Sequence, residues 1–205
     1  MTVAGIVAGG CRPDGAERPA DGDGTLVRRV AGTLSGRTDR LVVTCRPDRR
    51  DAVAGALDGL DARLAPDPAA AGGPAATLRA GLRTCGCHRA AVVAPDVAAV
   101  DGRAVGLLVE ALDASDADAA VPRIDGRQRP LCAVYDVAAA VDACTTALRR
   151  GEGDVRGVLT ALSVADVDEA RFRSRVDPAT LRRVDSPAAL RAPRDPSVEG
   201  RSESD

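Results

Sequence analysis

A chain of 205 residues with 45% hydrophobic residues is long enough for one α/β domain with a self-sufficient core, and a formal net charge of −2 gives no general attraction to nucleic acid or an anionic membrane. Aromatic residues make up 1% of the sequence, too few for a base-stacking surface, and no apolar run approaches the roughly 20 residues that span a bilayer. All 28 basic residues are arginine, and the accompanying wealth of alanine, valine and aspartate reads as the imprint of a GC-rich genome.

In chain order, Val3 to Ala8 is an apolar β-branched run that reads as a strand, broken by Gly9-Gly10 and the polar loop "CRPDGAERP". "TLVRRVAGTL" has helical periodicity, "LVVTC" (Leu41 to Cys45) is a second strand, and "RRDAVAGALDGL" a second helix. "ARLAP" (Ala62 to Pro66), the helix-like "AATLRAGLRTC" and "AAVVAP" (Ala90 to Pro95) extend the alternation, and their continuous apolar character predicts a mostly parallel sheet with helices on both faces.

After the helix "DGRAVGLLVEALDA", the strands "DAAVP" (Asp118 to Pro122) and "PLCAVY" (Pro130 to Tyr135) flank the polar turn "RIDGRQR", which predicts a hairpin or a long connection at a sheet edge. Helices follow in "DVAAAVDACTTALRR" and "DVRGVLTAL", then a short strand in "VADVD" and a last small helix in "TLRRVDSPAALRA" around Ser186-Pro187. One domain over residues 1–192 is expected, with a disordered polar tail over 193–205. The N-terminus lacks a basic segment leading into a signal-type core, so the expected location is cytoplasmic.

Cys11, Cys45, Cys85, Cys87, Cys132 and Cys144 lie in apolar or helical contexts that suit reduced, buried thiols. "CGCH" (Cys85, Cys87, His88) has no second ligand cluster at zinc-site spacing, and Gly86 reads as a helix end. His88, the sole histidine, reads as a helix-end residue.

Ligands of parallel sheets sit at the carboxyl ends of strands, which singles out "AGGCRPDGAERP", "TCRPD" and "APD". Gly9 and Gly10 let backbone N–H groups approach phosphate oxygens, although a Gly-Gly after a strand also makes an ordinary tight turn. Asp96 follows a buried strand, where a carboxylate either holds Mg²⁺ beside substrate phosphates or caps a turn. Asp67 and the turn Gly72-Gly73-Pro74 lead into a helix whose free N–H groups could face a nucleotide, or simply start a helix.

In combination, these pieces resemble the molybdenum cofactor guanylyltransferases of the nucleotidyltransferase superfamily. Val7-Ala8-Gly9-Gly10 followed by Gly15-Ala16-Glu17-Arg18 is similar to that family's Leu-Ala-Gly-Gly and Gly-x-Asp-Lys steps. Gly73-Pro74-Ala75-Ala76-Thr77 and Ala80-Gly81-Leu82 look like its Gly-Pro-Leu-Ala-Gly and Ala-Gly-Leu, and Ala94-Pro95-Asp96-Val97-Ala98 like its Ala-Cys-Asp-Met-Pro. "DAAVPRIDGRQRPLCAVY" and "TLRRVDSPAALR" resemble its two later segments, so the likeness runs from about Val3 to Leu190.

The resemblance implies a three-layer Rossmann-like nucleotidyltransferase that moves GMP from GTP to molybdopterin with Mg²⁺. It implies nucleotide binding by Val7, Ala8, Gly9, Gly10, Arg18, Thr44, Asp67, Gly73 and Asp96, catalysis by Arg18 and Asp96, and the metal on Asp96. Neither nucleic acid nor membrane is an expected partner, whereas a molybdoenzyme-maturation protein is. The sequence departs from the family at its shortened glycine loop, at Arg18 for lysine, at Thr44 for asparagine, at Ala98 for proline, at Arg129 for the glutamine before Pro-Leu, and at Arg183 and Asp185 for two asparagines. The alternative is a catalytically weakened relative that binds a nucleotide and acts as a regulatory or scaffolding module. A third reading keeps the reaction with another acceptor, or with CTP in place of GTP.

Overall fold

The computed structural model describes residues 2–9, 25–67, 72–97 and 100–181. Gly10, Cys11, Arg18, Ala98, the expected helix beyond Leu181 and the tail lie outside them. Strands β1 (Val3–Val7), β2 (Arg40–Cys45), β3 (Ala62–Pro66) and β4 (Arg89–Val93) alternate with helices α1 (Leu26–Ser35), α2 (Arg50–Ala56) and α3 (Gly73–Cys85). After α4 (Gly102–Asp113) come β5 (Ala119–Ile124), β6 (Arg127–Gln128), β7 (Cys132–Asp136), α5 (Val137–Arg149), α6 (Val155–Leu159), β8 (Val164–Asp168) and α7 (Glu169–Arg173).

The eight strands form one sheet in the order β3-β2-β1-β4-β7-β5-β6, with β8 paired to β5. The first four strands run parallel. Because strand side chains alternate between faces, one sequence run feeds two cores. Val7, Val43, Val93 and Val134 pack with α1, α2, α4 and α7 on one face, while Ile6, Val42, Val92 and Tyr135 pack with α3, α5 and α6 on the other. Each core receives one aromatic, Phe172 in the first and Tyr135 in the second, and both are fully buried. The expected three-layer α/β sheet is therefore what forms.

Asp and Thr caps fix where helices start: Thr25 accepts from the Arg28 N–H, Asp101 from Arg103, Asp136 from Ala139 and Asp154 from Arg156. α3 stops at Gly86, whose φ of 62° is left-handed, as the sequence suggests. Among the described cysteines none is disulfide-bonded, and Cys87 alone is not fully buried. No group of three or more His, Cys, Asp or Glu among the described residues could hold a metal, so the CGCH stretch has no supporting ligands there. No described helix is long and apolar enough to cross a membrane.

The expectation for β5 and β7 is met in their antiparallel pairing through a longer connection, and its sheet-edge placement holds for the turn but not for β7. A tight hairpin does form, but it joins β5 to the two-residue β6 across Asp125-Gly126, with φ of 51° and 72°. β7 is not at an edge: it inserts antiparallel between β4 and β5, pairing Val93 with Cys132 and Ala120 with Val134. Its side chains serve both cores, Cys132 and Val134 entering one and Ala133 and Tyr135 the other, and both of its backbone edges are paired, to β4 and to β5. α7 is also additional to the sequence reading, capped by Asp168 and anchored by Phe172.

Candidate functional site

The carboxyl ends of β1 and β4 and the entry to β7 are stitched by backbone bonds beyond the strands themselves. The Ala8 N–H donates to the Val93 carbonyl at 2.9 Å, and the Ala94 N–H donates to the Leu131 carbonyl at 2.7 Å. These bonds hold open a cleft of about 480 Å³, walled by Ala8 and Gly9, by Pro95, Asp96 and Val97, and by residues 128–132. Pro74 at the start of α3 and residues 154–156 at the start of α6 close its other side.

Asp96 is only 6% exposed yet lines this cleft, in a turn where the Val97 N–H donates to the Ala94 carbonyl at 3.0 Å. It shares the cleft with Ala8 and Gly9, so three of the sequence-designated residues converge. A Cβ on Gly9 would lie 2.5 Å from the Thr44 carbonyl oxygen, so this glycine also permits β1 to close on β2.

Other designated residues stand behind the cleft. Val7 and Thr44 are fully buried, and the Thr44 hydroxyl donates to the Val7 carbonyl at 3.3 Å. Asp67 is 2% exposed and accepts a 2.7 Å hydrogen bond from the Thr77 hydroxyl, joining the end of β3 to α3. Gly73 has φ 60° and lies against Gly153, whose carbonyl would sit 2.8 Å from an added Cβ. The Ala75 N–H donates to that same carbonyl at 2.9 Å. One of the helix-start donors expected to face a ligand is thus spent on the loop before α6.

Sequence reasoning left out Asp154 and Arg156, which reach the cleft through this Gly73–Gly153 contact and carry no local signal. Arg129 was visible only as a departure from the family pattern, and it lines the cleft. Its backbone N–H donates to the Pro122 carbonyl at 2.9 Å and its carbonyl accepts from the Cys132 N–H at 2.9 Å. The Tyr135 hydroxyl fixes the next residue by donating to the Pro130 carbonyl at 2.6 Å, and burial pushes that hydroxyl's pKa up, so it remains a donor. Neighbouring Gln128 donates to Asp166 at 2.8 Å, which also accepts from Arg123 at 2.6 Å. Partial burial pushes Asp166 up, but the bonds from Arg123 and Gln128 outweigh it and hold the carboxyl below its usual range.

Between Asp96 and Arg129 the cleft floor includes Cys132, whose thiol burial pushes up to about 12. It stays neutral, and the ionisable side chains that line the described cleft besides it are Asp96, Arg129, Asp154 and Arg156. A single buried carboxylate opening into a cleft fits a hard cation that keeps waters and binds substrate phosphates, rather than an all-protein cage. Asp96 is thus the described residue of this cleft suited to share a divalent cation with a bound phosphate.

A model of the MobA-like NTP transferase domain matches residues 16–169. A probable molybdenum cofactor guanylyltransferase from Natronomonas pharaonis is 35% identical over 170 residues, 83% of each chain. A second protein of that name, from Haloferax mediterranei, is 30% identical over 171 residues, 80% of each chain. Among solved structures, molybdopterin-guanine dinucleotide biosynthesis protein A from Archaeoglobus fulgidus superimposes with a TM-score of 0.74 at 23% identity, over 93% of this chain and 95% of that one. The 2-C-methyl-D-erythritol 4-phosphate cytidylyltransferase from Thermus thermophilus gives 0.70 at 19% identity, over 93% and 96%. At these identities the structural likeness speaks to the fold.

Proposed function

Because the chain belongs to the MobA-like NTP transferase family, whose members are nucleotidyltransferases, we propose that it transfers GMP from GTP to molybdopterin in the cytoplasm. The observation that carries this reading is Asp96: a carboxylate 6% exposed, at the end of β4, opening into the same cleft as Gly9 and Arg129.

In the reaction a terminal phosphate oxygen of molybdopterin attacks the α-phosphorus of GTP, a new P–O bond forms, and the bond to pyrophosphate breaks. The attacking phosphate is already ionised, so no histidine base is required, and catalysis is mostly positioning and electrostatics. Asp96 would hold Mg²⁺, which when bound neutralises charge on the reacting phosphates. Gly9 brings the β1 terminus close to the nucleotide, with Val7 and Ala8 leading into it and Thr44 and Asp67 fixing β1, β3 and α3 around it. Gly10 and Arg18, outside the described residues, would complete the phosphate contacts, Arg18 standing where the resembled motif has lysine. Gly73 sets the start of α3 beside the cleft. A molybdoenzyme-maturation protein that receives the product is the protein partner that fits this reading.

The test is calorimetric titration of GTP, CTP and ATP with and without Mg²⁺, on wild type and Asp96→Asn, followed by pyrophosphate release with molybdopterin. GTP is expected to bind best and only with Mg²⁺, and Asp96→Asn is expected to lower turnover by at least about 100-fold. Nucleotide binding that is indifferent to both Mg²⁺ and Asp96→Asn would overturn the proposal. Mg²⁺-dependent binding without turnover would instead mark a regulatory relative.

A further inference from the structure

Arg129 holds a guanidinium donor that the fold leaves unanswered. Its Nε is buried without a hydrogen-bond partner among the described residues, and its side chain as a whole is 25% exposed to the cleft. Its one carboxylate neighbour among the described ion pairs is Asp125, 3.9 Å from Nη2 and itself 58% exposed, too distant for a hydrogen bond. Nε itself is closed to the cleft, so what a ligand can meet is the rest of the guanidinium, whose Nη groups make no hydrogen bond to the described residues and line the cleft.

The rest of the hairpin is built so that this side chain stays available. Both backbone bonds of Arg129 are taken up by Pro122 and Cys132, so its Cα is fixed. Gln128, the alternative polar group at this point, is committed to Asp166 together with Arg123. The β5–β6 turn is tied down as well, since the Asp125 N–H donates to Glu169 of α7 at 3.2 Å.

Strand order decides which substrate Arg129 faces. Gly9 follows β1, Asp96 follows β4, and Arg129 precedes β7, and these strands are consecutive in the sheet. Asp96 therefore stands between the glycine-loop side and Arg129. The nucleotide reading places GTP on the β1 side, leaving the β7 side to the molecule that attacks it. Guanidinium binds a phosphate as a planar two-pronged fork, and in a chain without lysine it is the sole side-chain cation that is always charged.

We infer that Arg129 holds the phosphate monoester of the acceptor substrate on the far side of Asp96 from the nucleotide, an inference that rests on the nucleotidyl-transfer reading above. Arg129 is thus a determinant of acceptor choice that glutamine at this place would not supply, because glutamine offers no charge.

The test uses the full chain, with Arg129→Gln and Arg129→Lys, and folding checked by thermal melting. Molybdopterin affinity is read anaerobically from pterin fluorescence, the dephosphorylated pterin serves as a second probe, and Mg²⁺-GTP affinity is read by calorimetry. Arg129→Gln is expected to weaken molybdopterin about 10- to 100-fold, with Arg129→Lys between it and wild type. GTP affinity should change less than about twofold, and the dephosphorylated pterin should bind wild type and Arg129→Gln alike. Equal losses for the two pterins, a loss confined to GTP, or a molybdopterin loss that follows Arg156→Gln and not Arg129→Gln would each overturn the inference. Wild type that binds neither GTP nor molybdopterin would overturn the transferase reading and this inference with it; wild type that binds both, with Arg129→Gln unchanged, would overturn this inference alone.

Discussion

Gly9→Ala separates two uses of the same glycine. The added Cβ would sit 2.5 Å from the Thr44 carbonyl oxygen, about 0.9 Å inside ordinary van der Waals contact. That oxygen belongs to the backbone of β2, so no side-chain rotation relieves the overlap and the end of β1 must move. Overpacking of this kind costs about 1–3 kcal/mol, which in a chain of this size lowers Tm by about 2–12 °C. A shift near 1 Å in the cleft wall also costs about 100-fold in turnover. Thermal unfolding by circular dichroism and Mg²⁺-dependent GTP titration read the two effects. Gly32, Gly55 and Gly106 provide the contrast, because a Cβ on any of these helical glycines meets nothing within 4 Å. Changing all three to alanine should raise stability by about 1.5–3 kcal/mol. Gly9→Ala with unchanged Tm would refute the crowding argument, and if it also lost GTP it would leave Gly9 a ligand-facing role only.

Three further outcomes are expected. Partial burial pushes Asp101 up, but the bonds it accepts from Arg103 prevail and hold its carboxyl below the usual range, so its contribution is present at neutral pH and lost as pH falls below about 4. Asp101→Ala should therefore cost about 1 kcal/mol at pH 7, with the gap to wild type narrowing in acid, as followed by urea unfolding. Phe172→Ala removes the single aromatic from its core and should cost about 3–5 kcal/mol in the same assay. In native protein at pH 8, Cys87 should be alkylated well before Cys132 and Cys144, whose thiols burial pushes up to about 12, with peptide mass mapping as the readout.

The sequence reading succeeded where information is local. Runs such as Val3 to Ala8 and Leu41 to Cys45 mark strands because both of their faces are apolar, and Gly86 marks a helix end because its φ is positive. It failed where placement depends on distant segments. Nothing within "PLCAVY" says that the strand will wedge between β4 and β5, because its apolar pattern reports covered faces and not lateral neighbours. Asp154 and Arg156 come to the cleft only because two glycines eighty residues apart in sequence let α3 and the α6 loop touch. Arg129 lay in view as a substitution, and its place in the cleft lining beside Asp96 is something only three dimensions reveal.

The glycines that made the chain resemble a nucleotidyltransferase turn out to set distances between backbones. Gly9 admits the Thr44 carbonyl, Gly73 admits Gly153, and Gly81 admits the Ile6 side chain, whose Cγ2 would stand 2.7 Å from an added Cβ. Each is a close approach that an added Cβ would disturb and that a side chain elsewhere cannot restore. Charge is different, because a cation need only reach a phosphate oxygen and can do so from several positions on a fixed frame. On that argument the glycine positions constrain the backbone frame, while the charged lining of the cleft, Asp96, Arg129, Asp154 and Arg156, is the part that substitution can rearrange.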